Sequence, residues 1–288
     1  MRVCVIGAGK VGCALAIAMN RLDFTISGIY SRSHDSFGSL CRVLDCSLKN
    51  SLSLAVANSN VILIAVPDVA IGGVAAEIVS QVKPEDIVGK VFLHLSGAET
   101  SEVLEPIARN GGYTGSLHPV QTFADRENGW KGLPNIYFSF EGCNEARDRA
   151  EKIVKAFSGN MICIKKEYKA LYHAAACMLS NYTVALSYVA GNLLNMAGID
   201  FETGVRALKP LLENTIKNID YFGSLNALTG PISRGDCGVV AGHMEAISEK
   251  SPDTLEIYKL LGRVAVDMAL KKGSINSEQS ERMYNILL

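Results

Sequence analysis

Two groups of residues in this 288-residue chain are spaced for chemistry. The first is Gly7-Ala8-Gly9-Lys10-Val11-Gly12, which directly follows a short apolar run. In such a G-x-G-x-x-G pattern the first glycine permits a tight turn. The second lets the backbone approach a pyrophosphate, and the third lets a helix pack closely on its strand. The helix that opens there offers free N–H groups and a partial positive charge, so the segment suits a dinucleotide. The second group is Lys169, His173, Cys177 and Asn181 at intervals of four, with Ser180 seven residues after His173. On a 3.6-residue helix these fall along one side. Ala170, Ala174, Ala175, Ala176 and Ala185 around them allow close packing or leave space for a ligand. A reductase needs a proton donor beside the oxygen that takes up charge when hydride reaches a carbonyl. His173 fits that role better than Lys169, which reads as a solvent-facing residue near the helix start. Asn181 and Ser180 would orient the substrate.

Ligands of open parallel sheets lie beyond the carboxyl ends of the strands, so the residues there come next. The second strand ends in Tyr30-Ser31-Arg32-Ser33, without the carboxylate that would hold a ribose 2′-hydroxyl. Arg32 can pair with a 2′-phosphate and Ser31 and Ser33 can hydrogen-bond to it, which predicts NADP(H). Asp35, a little further on, is the residue that speaks for NAD. Val66 and Pro67 end a third strand beside the expected cofactor, with Asp68 as a helix N-cap. His94-Leu95-Ser96-Gly97 closes another. There Ser96 and Gly97 can face the nicotinamide, and His94 is readable as a satisfied buried histidine. In Ser116-Leu117-His118-Pro119 the proline stiffens the exit. His118 is then either a substrate-binding residue aimed at the cleft or a structural loop histidine. Thr229 to Asp236 forms a Gly/Pro-defined loop. Arg234 can clamp a substrate carboxylate there, and Asp236 either contributes to substrate binding or caps the next helix. His243 reads as structural.

The elements that must position these residues alternate in the first half. Strands are expected at Arg2–Ile6, Phe24–Tyr30, Val61–Val66, Val91–Leu95, Tyr113–Leu117 and Ile136–Phe140. Helices are expected at Val11–Leu22, Val69–Val82 and Ser101–Asn110. Alternation of this kind implies a parallel, doubly wound α/β sheet. From about residue 165 only helices are expected: Tyr168–Met196, Phe201–Asp220, Val239–Glu249 and Thr254–Lys271. The predicted organisation is therefore a dinucleotide-binding domain over 1–164 and an all-helical substrate and dimerisation domain over 165–288.

Composition narrows the class. Hydrophobic residues make up 48% and charged residues 20%, enough apolar material for a sizeable core. Lys+Arg is 28 against Asp+Glu 29, so no basic surplus points to nucleic acid or an anionic membrane. The eight cysteines show neither metal-site spacing nor a secreted disulfide pattern, which predicts reduced thiols in the cytoplasm and no metal. The apolar stretch from Val61 to Val82 contains Pro67, Asp68, Gly72, Gly73 and Glu77, and so reads as strand and helix rather than a membrane span.

The Gly7–Gly12 fingerprint with Val66-Pro67-Asp68 resembles the superfamily of pyrroline-5-carboxylate reductase, ketopantoate reductase and the β-hydroxyacid dehydrogenases. Ser116-Leu117-His118-Pro119, Tyr172-His173-Ala174-Ala175-Ala176 with Ser180-Asn181, and Thr229-Gly230-Pro231 with Arg234-Gly235-Asp236 are more specific. They resemble a branch with a Rossmann-like domain and a C-terminal domain of unknown function, which includes proposed alternative ketopantoate reductases. The resemblance implies an NADPH-dependent reductase of a small 2-oxo acid, 2-dehydropantoate in pantothenate synthesis being the concrete expectation. It also implies a homodimer formed through the helical domain. Typical relatives carry Lys-x-x-x-Asn on the long helix. Here Lys169 is followed by His173, and His173 by Cys177, so the motif is absent, and it does not choose between His173, the first candidate for proton donor, and Lys169, the second. Two alternatives remain: a cyclic imine as substrate, or an NADP-binding sensor without turnover.

Overall fold

The computed structural model describes residues 1–288 apart from 47 and 49. It comprises two compact units, Met1–Ser180 and Asn181–Leu288. The first is built on one sheet of seven strands: β1 (Arg2–Ile6), β2 (Thr25–Tyr30), β3 (Val61–Ile64), β4 (Val91–His94), β5 (Tyr113–Pro119), β6 (Tyr137–Gly142) and β7 (Asn160–Cys163). The order is β2-β1-β3-β4-β5-β6-β7. β1 to β5 are joined by α1 (Lys10–Asn20), α2 (His34–Val43), α3 (Leu52–Ala57), α4 (Asp68–Gln81) and α5 (Glu105–Arg109). The chain reverses its direction of travel across the sheet between β1 and β3. Such a switch point opens a crevice beyond the strand ends, where the Gly7–Gly12 loop lies.

Both faces of the sheet are buried, and the strands show why. On β1, Val3 and Val5 join one core while Cys4 and Ile6 join the other. Val61 and Leu63 alternate with Ile62 and Ile64 in the same way on β3. This is the period of two expected for strands covered on both sides. α1 is buried from Gly12 to Met19, so its apolar character all round is spent on packing.

One expectation is corrected. β6 runs antiparallel to β5, with Leu117 opposite Phe140 and Pro119 opposite Phe138. A parallel partner needs a crossover of a dozen or more residues, usually helical. The residues between β5 and β6 provide only a short 3-10 turn at Gly129–Gly132. α6 (Asn144–Ala156) then supplies a crossover, and β7 pairs parallel with β6.

α7 (Lys169–Met196) runs for 28 residues. Its first three turns are grouped with the sheet, and the division between units falls after Ser180 rather than near residue 164. The cause is local, since the side chains of Lys169 and Tyr172 are bonded at the ends of β4 and β5.

The second unit contains the rest of α7 with α8 (Phe201–Asn226), α9 (Cys237–Lys250), α10 (Pro252–Lys272) and α11 (Ser277–Ile286). Val240, Val266, Ala269, Ile275, Met283 and Leu287 form its core. Among the described residues of this unit there is no strand. Asp236 accepts a hydrogen bond from the Val239 N–H at 3.2 Å and caps α9, one of its two expected roles. Among the described residues no helix is long and apolar enough to cross a membrane, and no group of side chains could hold a metal ion.

Candidate functional site

The glycine loop separates three jobs. Gly7 has φ +103°, and a Cβ built on it would fall on the Ala65 carbonyl. A Cβ on Gly12 would fall on the carbonyl of Gly7. These two glycines are demanded by the fold itself. Gly9 is extended (φ −80°, ψ −171°), and a Cβ on it would meet nothing within 4 Å. It stands at the N-cap of α1 with no side-chain cap, so the free N–H groups of the helix start face open space. The loop walls a cavity of about 250 Å3 together with Ser31, Arg32, Ser33, Val66 and Pro67. Lys10 and Val11 open α1 beside it.

The far end of this cavity is set by β2. The Ser31 N–H donates to Asn50 Oδ1 at 3.0 Å, and Asn50 returns a bond to the Ser31 carbonyl at 2.8 Å, which pins the strand end. Ser33 caps α2 by accepting from the Ser36 N–H. Its own hydroxyl proton remains available to a ligand. Arg32 is exposed at the rim. Glu77 also lines the wall, but the Tyr30 hydroxyl donates to it at 2.9 Å. That bond holds the Tyr30 phenol above its ordinary pKa. Asp35 is exposed in the first turn of α2 and does not line the cavity. Open space at Gly9, an uncapped helix start and an arginine beyond β2 all fit an NADP-type dinucleotide.

Asp68 is not the N-cap expected of it. Pro67 holds that position, and Asp68 begins the first turn of α4. The chain turns at the proline itself, so the carboxylate adds to the helix dipole rather than closing the cap.

The ends of β4 and β5 carry the second half of the site. His94 is fully buried. Its Nδ1 accepts from the Ser96 N–H at 3.2 Å, so Nε2 carries the proton and faces the Thr100 carbonyl, also at 3.2 Å. Burial pushes its pKa down to about 3, and the positive charge of Lys169 adds to the effect. This is the satisfied histidine the sequence allowed. Ser96 is buried too, and its Oγ accepts from the N–H groups of Ala98 and Glu99 at 3.1 and 3.0 Å. The hydroxyl therefore shapes the turn that presents Gly97.

Lys169 overturns the expectation of a solvent-facing residue, being only 2% exposed. Its Nζ donates to the Ser96 carbonyl at 3.2 Å and to Ser116 Oγ, and Ser116 in turn donates to the Ser96 carbonyl. The first turn of α7 faces the strand ends, so the long side chain delivers its ammonium there instead of to water. Burial lowers its pKa to about 8, against the opposing pull of the carboxylates of Glu141, Asp68 and Glu99.

His118 lies beside it. Its Nδ1 is 2.7 Å from Tyr172 Oη, and Ser139 bonds to the same phenol. Burial depresses the His118 pKa to about 4, helped by the charges of His173 and Lys169. The ring is neutral at pH 7. His173 stands edge-on to His118 with ring centroids 5.9 Å apart. Its Nε2 is 3.5 Å from Cys177 Sγ, while its Nδ1 is buried without a partner. Gly97 lies between the rings, for a Cβ there would fall on His173 Nδ1 and within 3.1 Å of the His118 ring.

The structure thus brings Lys169, His173, His118, Ser96 and Gly97 together. Ser180, half-buried, closes this part of α7. Asn181, Arg234 and Asp236 belong to the second unit. Arg234 is exposed there and makes no ion pair among the described residues. Sequence reasoning missed Tyr172 as a site residue. Its signal was adjacency to His173, but one residue along a helix turns a side chain by about 100°, and nothing in the sequence placed His118 opposite. It also missed Arg126, which lines the glycine-loop cavity from the β5–β6 connection.

Residues 1–119 match the model of a Rossmann-like domain, and residues 136–265 match that of a domain of unknown function, DUF2520. No curated protein matches the chain. Among solved structures, a Bacteroides fragilis protein named as an NADP oxidoreductase is similar with TM-score 0.73 and 22% identity, over 92% of this chain and 97% of that one. A Thermotoga maritima protein gives TM-score 0.74 at 24% identity, over 94% and 99%. An imine reductase from Pseudomonas sp. gives 0.58 at 18%, over 99% and 91%. The matches to a Rossmann-like domain and to DUF2520 are paired along the chain, and its fold is shared with these proteins.

Proposed function

We propose that this pairing forms an NADPH-dependent reductase of a small 2-oxo acid, with 2-dehydropantoate as the substrate and pantoate as the product. The observation that carries the reading is the buried, unpartnered Nδ1 of His173 beside a buried Lys169 at the strand ends. An orphaned polar atom and a desolvated ammonium both cost stability, so a fold that keeps them together has a use for them. The fold likeness to a protein named as an NADP oxidoreductase supports the cofactor. Gly7, Gly9 and Gly12 would admit the pyrophosphate, and Arg32 with Ser31 and Ser33 would take the 2′-phosphate. Bound NADPH would supply the hydride.

The chain's own residues would handle the proton. With the Cys177 thiol donating to Nε2, His173 holds its proton on Nδ1 and can bond the substrate oxygen. Lys169 would hold positive charge where that oxygen becomes an alkoxide, its pKa of about 8 keeping it mostly protonated at pH 7. Tyr172 donates to His118 Nδ1, which leaves His118 with its proton on Nε2, facing Gly97. The test is NADPH oxidation with 2-dehydropantoate, with pyrroline-5-carboxylate and other 2-oxo acids in parallel. Saturable turnover of 2-dehydropantoate is expected, falling about 10²–10³-fold in His173→Ala. Tight NADPH binding without turnover of any of these compounds would defeat the assignment.

A second reading has its own support. The likeness to imine reductases favours an imine as substrate. A protonated imine needs no donor at His173, so His173→Ala would keep turnover within a few-fold and separate the two.

We also propose a homodimer formed through the second unit. Leu211, Ile216 and Phe222 on α8 and Ile257, Leu260 and Val264 on α10 are exposed apolar side chains, more than an isolated unit usually leaves in water. Light scattering should give twice the chain mass, and a monomer at micromolar concentration would refute this.

A further inference from the structure

We infer that Arg126 is a second guanidinium of the cofactor site and helps to select a dinucleotide that carries a 2′-phosphate. The inference rests on the NADPH reading of the glycine-loop cavity. Arg126 lines that cavity together with Gly9, Arg32 and Ser33, although it comes from the connection between β5 and β6. Its Nη1 donates to Ser36 Oγ at 3.1 Å. Ser36 lies in the first turn of α2, the helix that Ser33 caps. The arginine is thus tied to the element that begins directly after Arg32, where the ribose end of a dinucleotide belongs.

The connection is built to hold this side chain in place. Asp125 Oδ1 accepts from the N–H groups of Glu127 and Asn128 at 2.8 and 2.6 Å, which closes a tight turn around Arg126. On either side Phe123 and Trp130 pack against the core that includes α1. Gly129 approaches Ala14 of α1 so closely that a Cβ would sit 3.3 Å from it. Arg21 stacks on Trp130 with its Cζ 4.0 Å from the ring centroid. Both ends of the segment are anchored, and Arg126 stands exposed between them.

The electrostatics agree with a phosphate. A guanidinium has five N–H donors, and the one bond to Ser36 leaves enough for a bidentate grip. Glu77, the carboxylate on the cavity wall, is engaged by Tyr30. Glu127, next to Arg126, does not line this cavity. A ribose with a free 2′-hydroxyl offers two arginines lining one cavity little. A ribose with a 2′-phosphate offers them a dianion.

The test is binding of NADPH, NADH, 2′,5′-ADP and 5′-AMP to the whole chain by isothermal titration, using wild type, Arg126→Ala, Arg126→Lys and Arg32→Ala. Arg126→Ala should weaken NADPH and 2′,5′-ADP about 10–100-fold and leave NADH and 5′-AMP within about twofold. Arg126→Lys should recover only part of the loss, because an ammonium lacks the planar fork. Equal weakening of NADPH and NADH would overturn the inference, since Arg126 would then serve the shared part of the cofactor. Unchanged binding of all four would overturn it as well. If Arg32→Ala erased the preference while Arg126→Ala kept it, the inference would fall and the NADPH reading would stand. A wild type that binds NADH as tightly as NADPH would sink both.

Discussion

Replacing Lys169 by methionine should slow turnover about 10²–10³-fold and at the same time make the protein more stable. On the proposed function, the first effect follows from removing the positive charge beside the oxygen that would become an alkoxide. The second follows from linkage. Burial lowers the Lys169 pKa from 10.5 to about 8, so the unfolded chain binds its proton more tightly than the folded one. Wherever the unfolded state binds more protons, stability rises with pH. The wild type should therefore gain stability between about pH 8 and 10.5, and at pH 7 it bears the full cost of the desolvated ammonium. Methionine fills the same space without charge. Ser116 still donates to the Ser96 carbonyl, so little is left unsatisfied. We expect about 1–2 kcal/mol and a rise in Tm of roughly 3–6 °C, measured by thermal unfolding at pH 7. In the wild type, kcat/KM should fall with a slope near −1 above about pH 8, where Lys169 loses its proton. A variant that keeps its rate would remove Lys169 from the chemistry, and one that unfolds earlier than wild type would refute the desolvation cost.

The second large effect concerns glycines that look alike in sequence. Gly9→Ala should fold normally, with stability within about 1 kcal/mol of wild type, and bind NADPH at least about 100-fold more weakly. Its backbone angles suit alanine and nothing crowds the new methyl, so the only thing it can obstruct is a ligand. Gly7→Ala should instead damage the fold. A positive φ costs about 1–3 kcal/mol in a residue with a side chain, and the methyl meets the Ala65 carbonyl. Circular dichroism and cofactor titration on both variants would show whether the two effects separate. If Gly9→Ala bound NADPH like wild type, the loop would not carry the pyrophosphate.

The same contrast shows what the sequence reveals. The glycine pattern with its flanking strand and helix was legible, because strand period, helix period and turn chemistry all act within a dozen residues. The direction of β6 was not. It depends on the lack of a crossover helix between β5 and β6, and that length of chain reads simply as loop. Lys169 was misjudged for a related reason. A lysine at a helix start is ordinarily solvated, and only the approach of β4 and β5 makes this one buried. His173 stood out in the sequence because it sits in an alanine-rich helix. Its neighbours His118 and Tyr172 were two separate motifs until the fold joined them. Arg126 had no signal, since nothing in an irregular connection announces which helix it will bend toward.

The imidazole of His94 has a consequence of its own. Its two nitrogens are tied to the backbone at both ends of the turn that carries Ser96 and Gly97, and one of them holds a proton shut away from water. Such a proton exchanges with solvent only when the strand end opens. In a nuclear magnetic resonance spectrum it should be a single sharp line far downfield, present from acid to alkaline pH. Its lifetime would time the breathing of the sheet at the turn that presents Gly97.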